Sequence, residues 1–172
     1  MFIRIKKIKD KEYAYLVENK WRKRKVKGSR QKVKGYLGKV FEYDKKYSKS
    51  FLEYHNIKDT SEYCKSKKKK KDIIKDLTIV SLSNYGFSDK EGVFENQELF
   101  FDEKGLSLIN KKTGKSVVLK ANEGFLCEHT IKRILNYKEK EDEEKGYRLA
   151  KYLIEAGLDV PRDIFIDLYQ RF

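Results

Sequence analysis

Proline, methionine and tryptophan each occur once in this 172-residue chain, and cysteine occurs twice. The two cysteines, Cys64 and Cys127, stand far apart with no paired spacing, so they make no disulfide framework and read as reduced thiols. With His55 and His129 they complete the soft metal ligands. Structural zinc uses two close pairs such as C-x2-C, which this spacing does not supply, so no metal is expected. No apolar run approaches the roughly 18 residues that a bilayer crossing requires, and the N-terminus alternates Ile with Lys. The expectation is a soluble, cytoplasmic chain with no membrane partner. A glycine-rich phosphate loop, a Gly-x-Ser-x-Gly elbow and a His-Glu-x-x-His pair are all missing. No cofactor and no small-molecule substrate are therefore expected.

What the chain has in excess is charge of one sign. Lys and Arg number 41 against 27 Asp and Glu, for a formal net charge of +14. Residues 1 to 49 hold 18 cations against 5 carboxylates, so 13 of the 14 net charges fall there, and the remainder is close to neutral. A basic habit kept for solubility would be spread along the chain, whereas a polyanion footprint is polarised in this way. The richness in Lys, Glu and Ile resembles heat-adapted microbial proteins, archaeal ones included, although the single proline runs the other way.

Periodicity gives the basic segment a structure. From Phe2 to Lys9, Ile3 and Ile5 alternate with Arg4 and Lys6, the period of a strand with one buried face. Asp10 and Lys11 supply a two-residue turn. Glu12 to Trp21 then sets Tyr13, Tyr15 and Val17 on one face and Ala14 and Leu16 on the other, a second strand. After a reversal at Gly28 and Ser29, a third strand points Gln31, Val33, Gly35 and Leu37 one way and Arg30, Lys32, Lys34 and Tyr36 the other, so its outer face is a row of cations. Those side chains recur about every 7 Å, close to the phosphate spacing along one nucleic-acid strand. Arg22, Lys23, Arg24, Lys25 and Lys27 lie at the end of the same sheet. Lysines also protect exposed edge strands from pairing, but that needs one or two of them.

Phe41, Tyr43, Tyr47, Phe51 and Tyr54 follow at near-helical steps and predict an amphipathic helix over 42–56. The five lysines Lys67 to Lys71 would surround a helix on every side, so they mark an exposed helical turn or a linker. Apolar density then rises from Asp72, and three short strands follow at Glu98 to Asp102, Leu106 to Ile109 and Ser116 to Leu119. Three helices end the chain. The first carries Ile131, Ile134 and Leu135, the second runs from about Asp142 to Ala156 with Gly157 as its stop, and the third opens near Pro161 with Ile164, Phe165, Leu168, Tyr169 and Phe172 as its buried stripe. The expected fold is α+β: a basic antiparallel sheet of about three strands (1–45), a helical lysine-rich connector (46–77), and an α+β unit of a small antiparallel sheet followed by about three helices (78–172).

Four pieces of the first 40 residues resemble the N-terminal segment of transposases of the IS4 and IS1634 type. They are Met1, Phe2, Ile3, Arg4; Tyr15, Leu16, Val17, Glu18; Arg30, Gln31, Lys32, Val33; and Tyr36, Leu37, Gly38, Lys39. In that family the segment precedes a large catalytic domain with three metal-binding carboxylates, for which this chain has no room. The resemblance implies at most a nucleic-acid-contacting β module without catalytic residues; DNA is expected over RNA.

The expected function is therefore non-catalytic binding of nucleic acid. Arg4, Lys6, Arg22, Lys23, Arg24, Lys25, Arg30, Lys32 and Lys34 would contact phosphates, and Trp21 or Tyr36 would stack on bases. Two other classes compete. A metal-dependent nuclease would use a carboxylate-x-Lys triplet, either Glu18, Asn19, Lys20 with Asp10 or Asp102, Glu103, Lys104 with Asp89. An adaptor would dock the basic sheet on an acidic protein or a ribosomal surface.

Overall fold

The computed structural model describes residues 1–21, 29–65, 69–138 and 146–172. β1 (Phe2–Ile8) and β2 (Lys11–Trp21) form the expected hairpin. Its turn is Lys9 and Asp10, one residue earlier than expected, because both adopt positive φ (47° and 59°). That is the conformation whose twist matches the flanking strands, and it leaves Lys11 free to pair with Ile8.

β3 (Ser29–Glu42) overturns the expected architecture. It runs antiparallel to β2 and then continues, so that Val40 to Glu42 pair in parallel with Val118 to Lys120 of β8 (Ser116–Ala121). Beyond β8 the sheet extends through β7 (Ser107–Asn110), β6 (Leu99–Asp102), β5 (Val93–Glu95) and β4 (Ser88–Lys90), and β9 (Gly124–Leu126) also pairs with β8. The described residues thus make an α+β fold with one mixed nine-stranded sheet and six helices, not a three-stranded sheet beside a separate small one. The apolar pairs Val40 with Val118 and Phe41 with Leu119, all buried, weld the two halves.

The helix expected over 42–56 is replaced by a stretch without regular secondary structure followed by the short α1 (Phe51–His55). Residues before α1 hydrogen-bond instead to the end of α3 (Lys70–Asn84). The Lys46 and Tyr47 amides donate to the Asn84 carbonyl (2.8 and 3.2 Å), and the Asn84 side chain both accepts from Lys49 N (2.9 Å) and donates to Lys49 O (3.0 Å). Ser50 then starts α1 with a reciprocal capping box to Glu53. After α2 (Thr60–Lys65), α3 begins with Lys70 and Lys71, so part of the lysine run opens a central helix; residues 66–68 lie outside the described residues.

α3 is buried on most sides, including Thr78, Ser81 and Ser83, whose hydroxyls are satisfied by backbone carbonyls. α4 (Glu128–Leu135), α5 (Tyr147–Glu155) and α6 (Arg162–Gln170) follow. The expected start of the second of these at Asp142 lies outside the described residues, while Gly157 (φ +73°) stops it and Pro161 precedes α6 as anticipated. Phe94, Phe101, Leu108 and Val117 form one row across β5 to β8. They share a core with Leu77, Ile131, Leu149 and Ile164 from the helices. Each fully buried Leu or Ile here contributes about 1.5–3 kcal/mol relative to exposure. Among the described residues no helix is long and apolar enough to cross a membrane.

Candidate nucleic-acid interface

Opposed residues in antiparallel strands share a face, so the register of β1, β2 and β3 defines two surfaces. One carries three rows across the strands: Phe2, Val17, Val33; Arg4, Tyr15, Tyr36; and Lys6, Tyr13, Lys39. Asn19 and Gln31 continue it at one end and Ile8 and Lys11 at the other. Phe2, Ile8, Val33 and Tyr36 are all exposed large hydrophobic residues, Tyr36 to 57%. The Tyr36 ring lies 5.4 Å from Tyr15 and 6.3 Å from Tyr13, and Lys6 Nζ sits 5.1 Å from the centre of the Tyr15 ring. Arg4 Nη1 donates to Gln31 Oε1. Burial, then the neighbouring Tyr13 and Tyr15, hold the Tyr36 hydroxyl above its ordinary range.

Two register shifts in the β2–β3 pairing create this face. Leu37 is extra between the pairs Ala14–Gly38 and Tyr15–Tyr36, and Lys34 is extra between Leu16–Gly35 and Val17–Val33. Each extra residue breaks the two-residue alternation. As a result the expected row Arg30, Lys32, Lys34, Tyr36 does not exist: Tyr36 joins Tyr13 and Tyr15, while Arg30 and Lys32 project from the reverse face opposite Lys20 and Glu18. Lys34 Nζ also reaches Glu18 there, at 3.0 Å. That hydrogen bond and the Lys34 charge hold the Glu18 carboxyl below the usual carboxylate range.

The proposed cations therefore divide. Arg4 and Lys6 accompany the tyrosines; Arg30, Lys32 and Lys34 lie behind them. Arg22, Lys23, Arg24 and Lys25 lie outside the described residues, and of Trp21 only the backbone is described, at the end of β2. Toward β8 the reverse face is covered, with Ile3, Ile5 and Leu37 packing on a small cluster of Ala14, Val40, Val118 and Cys127. Past the Phe2–Val17 pair, β2 and β3 continue as a two-stranded ribbon in which Lys20 stands directly opposite Arg30. Tyr13, Tyr15 and Lys39 went unassigned in the sequence reading, although the Tyr-x-Tyr alternation in a strand was the available signal.

The carboxylate triplets do not assemble. Asp10 and Glu18 sit at opposite ends of β2, roughly 25 Å apart along the strand. Asp102 accepts from the Lys104 and Gly105 amides (both 3.1 Å), closing its own turn, while Asp89 accepts from Gly92 N (2.9 Å). The register puts Asp89 on the face of Phe94 and Phe101, the face opposite to Asp102. His55 packs among the rings of Phe51, Tyr54 and Tyr63, Cys64 lies in α2, and Cys127 precedes α4 with His129 in its first turn. No group of three or more His, Cys, Asp or Glu side chains that could hold a metal occurs among the described residues.

No family model, curated protein or solved structure matches the chain. The transposase resemblance rests on the four quoted pieces of sequence alone.

Proposed function

We propose that this chain binds nucleic acid, without catalysis, through the sheet formed by β1, β2 and β3. The observation that carries the reading is the sorting of charge across that sheet. Arg4, Lys6, Lys11 and Lys39 share the tyrosine face, and both carboxylates of these paired stretches, Glu12 and Glu18, project from the other. A surface with cations and no neutralising carboxylate attracts a polyanion and releases its counterions on contact. The reverse face of the ribbon carries a separate cationic pair. Lys20 and Arg30 face each other directly, a like-charge pair that destabilises a sheet by itself and that a bound phosphate relieves.

Phosphate contact fixes position without reading sequence, so discrimination between sequences is expected to be weak. Anisotropy titration of a labelled DNA or RNA oligomer tests the reading, with the quadruple variant Arg22→Ala, Lys23→Ala, Arg24→Ala, Lys25→Ala alongside the native chain. Binding by the native chain and loss of affinity in a variant that melts like it are expected. No binding at low salt to either polymer would overturn the proposal.

A further inference from the structure

The tyrosine face points to a more specific ligand: we infer that it takes unpaired nucleobases of a single-stranded nucleic acid, stacked on Tyr15 and Tyr36 with the neighbouring phosphates held by Arg4 and Lys6. This inference rests on the nucleic-acid reading and narrows it. A protein that only tracks phosphates needs cations and gains nothing from exposed rings. Here Tyr36 is 57% exposed, with Val33 and Phe2 exposed on the same face. Such residues are costly to leave in water unless something covers them.

The surface continues from the helix-packed side of the sheet. Lys39 Nζ lies over the Phe41 ring at 4.3 Å, and Phe41 enters the main core, so the tyrosine patch is the part of that side which the helices leave open. A second copy of this chain is a poor occupant, because it would set Arg4, Lys6 and Lys39 against the same cations. A base brings an apolar face to the rings and a negative phosphate to the cations. Duplex DNA keeps its bases stacked inside and has no such face to offer, while Asn19 and Gln31 at the edge of the patch supply amides that hydrogen-bond base edges.

The test compares the full chain on oligothymidylate and oligouridylate of about 15 nucleotides and on a duplex of the same length. Single strands of either sugar are expected to bind at least about tenfold tighter than duplex. Tyr36→Ala should weaken single-strand binding by about five- to a hundredfold, and Tyr36→Phe, which keeps the ring, should leave it within about twofold. Duplex affinity should change little in either variant. If duplex binds as tightly as single strand and Tyr36→Ala has no effect, nucleic-acid binding stands and this inference fails. If neither polymer binds, both fail. A concentration-dependent dimer in sedimentation that Tyr36→Ala dissolves would assign the face to a second copy and overturn the inference.

Discussion

Gly38 lies against Ser116: a Cβ at Gly38 would come within 2.6 Å of the Ser116 carbonyl oxygen, and Gly38 holds φ at +139°. This is where β3 leaves the basic hairpin and joins β8, so the continuity of the nine-stranded sheet passes through a position only glycine fills without strain. Gly38→Ala is expected to destabilise the fold by about 2–4 kcal/mol, lowering Tm by roughly 5–15 °C. Gly35, three residues earlier, has nothing within 4 Å of its missing Cβ, so Gly35→Ala should shift Tm by no more than a few degrees. Equal effects of the two substitutions would mean that the sheets are not joined at this point.

Asn84 takes the place of the helix expected before residue 56. Its carbonyl and side chain together receive or supply four hydrogen bonds with Lys46, Tyr47 and Lys49. Asn84→Ala leaves the Lys49 amide and carbonyl without their partners, at an expected cost of about 1–3 kcal/mol by chemical denaturation. Hydrogen exchange should report faster exchange of the Lys49 amide. Unchanged protection there would contradict the assignment.

Glu18 holds Lys34 on the ribbon's reverse face, and Glu18→Gln frees that cation. Affinity for nucleic acid at low salt should rise severalfold, with a steeper salt dependence. A nuclease using Glu18 would instead lose cleavage in Mg²⁺ or Mn²⁺, so one variant separates the two classes.

Acid should weaken the fold in two stages. Burial, then the Arg133 charge, push the His129 imidazole below its ordinary 6.5, so below that pH the unfolded chain binds a proton that the folded chain does not, and stability falls. Glu18 and Glu95, held low mainly by their lysine partners, contribute stability that is present above the ordinary 4.5 and lost as pH drops through their folded values. Tm measured against pH should be level between about 7 and 8, decline from about 6.5 and decline again below about 4.5. His129→Gln should remove the first decline, and its persistence in that variant would point to another group.

The local elements were legible where one physical rule governs them. The alternation of Tyr13, Tyr15 and Val17 against Ala14 and Leu16, the three strands between 98 and 119, and the stop and start at Gly157 and Pro161 all follow from side-chain period or backbone restriction. Three kinds of feature were not legible. β4, β5 and β9 span three residues each, too short for any period. From Leu77 to Asn84 all of α3 but Ile79 is buried, so that half lacks an exposed polar face to reveal its turn. The extra residues Lys34 and Leu37 are unremarkable in sequence, yet they decide that Tyr36 stands with Tyr15 and apart from Lys32. The expected cation row failed for that reason, and the tyrosine face took its place.

The most direct measurement is the salt dependence of binding for the native chain. With about six phosphates neutralised, log affinity plotted against log salt should fall with a slope near −5 on duplex and near −4 on single strands, roughly a thousandfold loss on duplex between 50 and 200 mM. A slope near zero would mean that the basic sheet makes no phosphate contacts and would contradict the reading of its cations as a polyanion surface.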